Sequence, residues 1–255
     1  MLFPCFPSST FLRPALGLRF DLSLYSVCSV VSISPPLRML RLSCLALCIA
    51  LLPAALRAKP ADWLSEIDAL TRDDAAHPPA TNGIVFVGSS SIRFWTSLAT
   101  DFPGLPVTGR GFGGSELADS VYYLDRIVIP YRPRVVVLYA GENDLNAGKS
   151  PEAVAGDFRE FCARVRVALP AAHIFYIAMK PSPSRWAKHE KFEQGNALIA
   201  AACARDPRLT FVDVWPAMLD AQGQPRPELF RPDRLHMKPE GYAIWIRLLT
   251  PLLQP

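Results

Sequence analysis

The sequence predicts an α/β fold built on a parallel sheet of mainly five strands. Three observations carry that expectation. Short runs rich in Val, Ile, Phe and Tyr recur along the chain, longer stretches with helical spacing separate them, and the runs are apolar throughout instead of alternating with polar residues. Strands of that kind need cover on both faces, and their alternation with helices implies βαβ units.

The strand candidates are "IVFVG" (84–88), "LPVTG" (105–109), "RVVVLYA" (134–140), "HIFYIAM" (173–179) and "LTFVDV" (209–214). The clearest helix is "SPEAVAGDFREFCARVRVAL", where Ser150 is placed to cap, Pro151 suits the first helical position and Glu152 the first turn. Val154, Phe158, Phe161, Cys162, Val165 and Leu169 then repeat at helical intervals and form one apolar stripe. "KFEQGNALIAAACAR" and "EGYAIWIRLLTPLL" read as two further helices. In an open parallel sheet, chemistry sits beyond the carboxyl ends of the strands. That directs attention to the residues after Val87, Gly109, Ala140, Met179 and Val214.

The domain does not fill the chain. From Met39 the sequence runs "MLRLSCLALCIALLPAALRAKPADW", a basic start followed by an apolar run that closes on small residues near Ala58. This is the layout of a secretory signal peptide, and the run is short for a spanning helix. An uncleaved membrane anchor is the alternative. Residues 1–38 have scattered Pro, Ser, Cys and Phe without a period, and read as a start-site extension with no fold, translation beginning at Met39. The working domain is then 59–255, exported, with the periplasm as the expected destination and secretion into the medium as the alternative. Residues 1–58 carry Arg13, Arg19, Arg38, Arg41 and Arg57 against Asp21, so the 27 basic and 23 acidic residues of the whole chain become 22 of each. Neutrality removes the electrostatic argument for a nucleic-acid partner or an anionic membrane. Four of the six cysteines leave with the same segment. The remaining pair, Cys162 and Cys203, is too far apart in sequence for a metal clasp and reads as two buried thiols on helices, with a disulfide as the alternative.

Four polar blocks fall at the predicted strand ends: "GSSS" (88–91), "RGFGGSEL" (110–117), "GENDL" (141–145) and "RPDRLHMKPEGY" (231–242). Each has an innocent reading as a cap, a turn or a solvated loop; their placement on one rim gives them joint meaning. A serine hydroxyl attacks an ester only when a base takes its proton, and histidine is the best base near neutral pH. Of the four histidines, His77 lies in a Pro-rich linker, His173 starts a strand and His189 lies in a charged helix-like stretch. His236 alone sits in a strand-end loop with a carboxylate, Asp233, three residues earlier. A tight turn brings such an acid to the imidazole and fixes its tautomer. Backbone N–H groups at the serine and in the Gly-Gly turn, with an Asn amide, are the donors a developing oxyanion needs.

In this order the four blocks resemble the SGNH/GDSL hydrolases, closely the branch of platelet-activating-factor acetylhydrolase-like esterases, over roughly residues 82–252. The resemblance implies a three-layer α/β/α flavodoxin-like sandwich and a serine esterase. It selects Ser90 from the three serines as nucleophile, matches Asp233 and His236 to the D-x-x-H block, and assigns the oxyanion hole to Ser90, Gly114 and Asn143. One departure is Ser89, which stands where the name-giving motif has Asp; that aspartate is not the triad acid.

The implied chemistry needs no metal and no organic cofactor, and the chain has no P-loop. After the fourth strand, "KPSPSRW" (180–186) offers Arg185 and Trp186 as candidates to line the mouth of the site; the alternative is a solvated Arg185 and a Trp186 packed on its loop. Short links without a long lid favour a small-molecule or glycan ester, such as an acetyl group on a sugar, over long-chain lipid. A lysophospholipase or thioesterase of the envelope and a catalytically silent glycan- or lipid-binding domain are the rival readings. No stable membrane span is expected once the signal is cleaved, and nothing in the sequence sets the oligomeric state.

Overall fold

A computed structural model describes residues 60–254; the extension 1–38 and the signal-like run 39–58 lie outside the described residues. The elements that build the sheet are β1 (Ile84–Gly88), β2 (Val107–Gly111), β3 (Val135–Tyr139), β4 (His173–Ile177) and β5 (Leu209–Val212), all parallel in the order β2-β1-β3-β4-β5. Every residue of β1 and β3 is buried, as central strands covered on both faces require.

Successive side chains of each strand point to opposite faces, and this separates the core into two layers. Val85, Val87, Val136, Leu138, Ile174 and Tyr176 join one cluster with Phe158, Phe161 and Val165 of helix Pro151–Ala168 and Ile199 of helix His189–Cys203. Ile84, Phe86, Val135, Val137, Tyr139, Phe175 and Ile177 join the other with Trp245, Leu249 and Leu253 of helix Pro239–Leu253. The result is the three-layer α/β/α sandwich. The 151–168 stripe is buried as its spacing predicts, with Leu169 packed at its margin. Ser150 Oγ accepts from the Ala153 N–H at 3.2 Å. Cys162 and Cys203 are free and buried, and burial pushes their thiols up to about 12 and about 11.

Two features depart from expectation. The second strand runs 107–111, two residues later than "LPVTG", because Pro106 has no N–H to give a ladder and offers only its carbonyl to Ile84 N–H at 2.9 Å. In addition, Pro60–Ala76 forms a helix, α1, that the sequence reading had not placed. Its stripe of Trp63, Ile67 and Leu70 packs on the first core cluster. His77 follows α1 directly and its Nδ1 lies 3.3 Å from Asp73 Oδ1. Asp74 anchors the end of the helix, meeting both the Arg110 guanidinium of β2 and the Tyr131 hydroxyl. The Arg110 and Asp74 side chains are 7% and 14% exposed. Among the described residues no helix is long and apolar enough to cross a membrane.

Breaking a buried pair strands the surviving charge, at a cost of roughly 3–5 kcal/mol. Asp74→Ala is therefore expected to lower unfolding free energy by about 3 kcal/mol, while Asp73→Ala, at an exposed position, stays within about 0.5 kcal/mol of the parent. Urea denaturation of both variants checks this; equal midpoints would remove Asp74 as the anchor of α1.

Candidate active site

β1 ends in Gly88, whose φ of +140° places it in the region open to glycine. A Cβ here would come within 1.9 Å of the Tyr139 carbonyl oxygen. That close approach lets Ser89 N–H donate to the same carbonyl at 3.0 Å, and the chain then turns into the short helix α2 (Ser90–Arg93). Ser89 and Ser91 are buried, whereas Ser90 is half-exposed. The three consecutive serines thus receive three environments from one turn.

The loop before the last helix carries Asp233 and His236. Asp233 Oδ1 accepts from the N–H groups of Leu235 and His236, each at 2.9 Å, and Arg234 between them takes a left-handed φ of +59°. Arg231 N–H closes the turn on the His236 carbonyl at 2.7 Å. So folded, Asp233 Oδ2 lies 2.7 Å from His236 Nδ1, and His236 Nε2 lies 3.0 Å from Ser90 Oγ. A carboxylate only accepts, so Nδ1 carries the proton and Nε2 presents its lone pair to the serine hydroxyl. Burial is the largest single influence on the Asp233 pKa and raises it, but the hydrogen bonds from His236 and from the two backbone N–H groups together outweigh it and lower the value to about 2. Phe94 stands edge-on to the imidazole at 4.8 Å, with Arg231 over its ring at 5.0 Å.

The second and third blocks leave β2 and β3, the strands on either side of β1, at the same end of the sheet as this serine. Gly114 adopts φ +75°, and a Cβ there would come within 3.3 Å of Trp63 on α1. Its neighbour Gly113 donates to Glu66 of α1 at 3.1 Å, and Glu66 also pairs with Arg93 at 3.1 Å. Among the described residues, the Gly114 N–H donates to none, and the Ser90 N–H, first in its helix, has no acceptor within that helix. The third block forms a short helix, Glu142–Asn146, opened by Gly141. Asn143 Nδ2 donates to the Ser115 carbonyl at 2.8 Å, which leaves the second N–H of that amide for another acceptor. Asp144 accepts from Leu117 N–H through both oxygens, at 3.2 and 3.0 Å, and joins the second block to the third. Burial raises its pKa to about 6 against the pull of Lys149, which also reaches Asp157 and Glu116.

Several residues of this region carried no role in the sequence reading. Glu142 and Lys180 form an ion pair at 2.7 Å with side chains 4% and 1% exposed. Glu142 also accepts from Tyr139 and from Ser182, the latter at 3.3 Å. Burial works against its ionisation, yet the Lys180 and Arg185 charges hold its pKa below the ordinary value. Lys180 reaches Ser91 Oγ at 3.4 Å. Arg185 is not solvated: it donates to Asn143 Oδ1 at 2.9 Å and lies 3.4 Å from Glu142. Trp186 turns aside and stacks on His189 at 4.4 Å, with Trp215 beyond it at 6.0 Å. Glu66 was missed with its helix; the Trp63, Ile67, Leu70 spacing was the available signal.

The profile of the GDSL-like lipase/acylhydrolase family matches residues 80–244. The alpha1 subunit of platelet-activating factor acetylhydrolase IB is 28% identical in Homo sapiens over 204 residues, 75% of this chain and 82% of that protein. The Mus musculus protein is 27% identical over the same shares. Among solved structures, a putative platelet activating factor from Streptococcus pneumonia superposes with TM-score 0.68 at 19% identity, covering 82% of this chain and 99% of that one. A GDSL-like lipase from Bacteroides thetaiotaomicron gives TM-score 0.65 at 20% identity, covering 73% and 96%. These two share the fold.

The Asp233 pKa sets an expectation for acid. Its value is lowered on folding, so the stability this carboxylate contributes is complete above about pH 4, the ordinary carboxylate range, and is lost only as pH falls through about 2. The carboxyl carbon resonance of Asp233, followed by NMR, is therefore expected to titrate near pH 2; a midpoint at about pH 4 or above would contradict this electrostatic reading.

Proposed function

The chain belongs to the GDSL-like lipase/acylhydrolase family and is a carboxylic ester hydrolase, and we propose that Ser90 is its nucleophile, with His236 as base and Asp233 as the acid that orients it. The observation that carries this is the unbroken hydrogen-bond chain from Asp233 through His236 to Ser90. His236 Nε2 takes the Ser90 proton as Oγ attacks the ester carbonyl. Asp233 stabilises the imidazolium without itself taking the proton. Negative charge grows on the carbonyl oxygen, and Ser90 N–H, Gly114 N–H and the free N–H of the Asn143 amide hold it. The imidazolium then protonates the departing alcohol, which leaves an acyl group on Ser90. Water, deprotonated by His236, releases the acid and restores the serine. Each step moves one proton between Nε2 and an oxygen.

The substrate read from this site is a short-acyl ester, such as an acetyl group on a carbohydrate or another small molecule. Two observations support that reading. The Asp233 and His236 side chains are 47% and 21% exposed, so the site opens broadly to solvent. The curated relatives carry the name acetylhydrolase. The basic-to-apolar run ending near Ala58 supports an exported, periplasmic place of action.

Hydrolysis of p-nitrophenyl esters from acetate to long acyl chains tests both parts. Activity is expected to be highest on acetate and to decline with chain length. Ser90→Ala should lower kcat on the order of 10⁵- to 10⁶-fold, as loss of a nucleophile does elsewhere. Ser89→Ala and Ser91→Ala should stay within roughly tenfold, the worth of one hydrogen bond. Activity surviving in Ser90→Ala would eliminate this nucleophile, and a preference for long chains would favour a lysophospholipase or thioesterase.

A further inference from the structure

A side-chain amide has two ends of nearly equal size, so its orientation is decided by its partners. Asn143 sits between two partners of opposite kind. The Ser115 carbonyl can only accept, and the Arg185 guanidinium can only donate. Bound to both, at 2.8 and 2.9 Å, the amide has its nitrogen toward Ser115 and its oxygen toward Arg185. Rotated by half a turn, it would set oxygen against carbonyl oxygen and N–H against guanidinium. It would also present oxygen, in place of N–H, to the negative charge developing on the substrate.

We propose that Arg185 is a positioning residue of the esterase: it fixes the Asn143 amide with its N–H end toward the oxyanion, and the buried Glu142–Lys180 pair fixes Arg185. The inference rests on the reading of Asn143 as an oxyanion donor. Arg185 commits one terminal nitrogen to Asn143 Oδ1 and another, at 3.4 Å, to Glu142 Oε1. Glu142 is itself held through its other oxygen by Lys180 and Tyr139. An arginine that binds substrate keeps its donors facing the opening; this one directs two of its terminal nitrogens into the protein, and its side chain is only 13% exposed. The arrangement also couples the rim loops. Lys180 reaches Ser91, next to the nucleophile, while Ser184 N–H donates to the Arg234 carbonyl of the Asp233–His236 turn at 3.0 Å. Arg185 therefore sits where the loops after β1, β3 and β4 and the histidine loop converge.

A double-mutant cycle on p-nitrophenyl acetate decides the matter. Asn143→Ala is expected to lower kcat roughly 100- to 1000-fold. Arg185→Gln is expected to lower kcat about ten- to a hundredfold at unchanged KM, the worth of one charge-assisted hydrogen bond. The double variant should be no slower than Asn143→Ala alone, since an amide that is absent needs no orientation. Arg185→Lys should recover part of the loss, because one ammonium can serve Asn143 or Glu142 but not the fork between them. If Arg185→Gln fails to fold, Arg185→Lys, which keeps a cation beside Glu142, carries the same cycle. A rise in KM at unchanged kcat would make Arg185 a substrate contact and overturn the proposal, as would losses that multiply in the double variant. An Asn143→Ala enzyme with full kcat would instead remove the oxyanion reading of Asn143, and the proposal with it.

Discussion

A buried ion pair, Glu142 with Lys180, is the interaction on which the reactive rim depends. Removing two charges from water costs several kcal/mol each, and the pair persists only where geometry and further hydrogen bonds compensate. Here compensation comes from every side: Tyr139, Ser182 and Arg185 meet the carboxylate, while Tyr139 and Ser91 meet the ammonium. Those groups belong to the segment after β1, the end of β3 and the loops after β3 and β4. Satisfying the pair therefore requires four stretches of chain to arrive together, and the same requirement gathers Ser91 and Glu142, the neighbours of Ser90 and Asn143, around one ammonium group.

The sheet makes that arrival possible. With β1 central and flanked by β2 and β3, the loops carrying Ser90, Gly114 and Asn143 leave adjacent strands at the same edge. Gly88, paired with Gly111 on one side and Tyr139 on the other, lets the backbones close to a distance that no side chain would permit. The two core layers hold the strands in register from both faces, so the rim inherits the rigidity of the sheet.

What was legible in the sequence follows from how local each signal is. Strands buried on both faces announce themselves by unbroken apolar runs, and all five were found, β2 displaced because Pro106 belongs to the approach and not to the ladder. Asp233 and His236 lie within one turn, so their juxtaposition could be read from spacing alone; Ser90 needed the family pattern to separate it from its two neighbours. Lys180 carried no signal because its partner lies 38 positions upstream, and no local pattern marks a charge that will be buried. Arg185 was read as a candidate to line the mouth of the site or as solvated; its acceptors, Glu142 and Asn143, stayed hidden because they are distant in sequence. Helix α1 escaped notice because its apolar stripe is interrupted by charges. Those charges (Glu66, Asp68, Asp74) turned out to be its docking groups.

The docking of α1 carries the support of the site beyond the stretch that the family profile matches. The family match begins at residue 80, after this helix has ended at Ala76. Yet Glu66 and Trp63 brace the turn that presents Gly114, and Asp74 is the counter-charge of a buried arginine in the edge strand. A protein trimmed to residues 80–244 would keep every residue assigned to bond-making and lose the brace behind one of them, although the alignment with the curated relatives, at 75% of this chain, reaches into α1. The stretch that the family profile matches and the stretch that supports the site are, in this chain, different lengths.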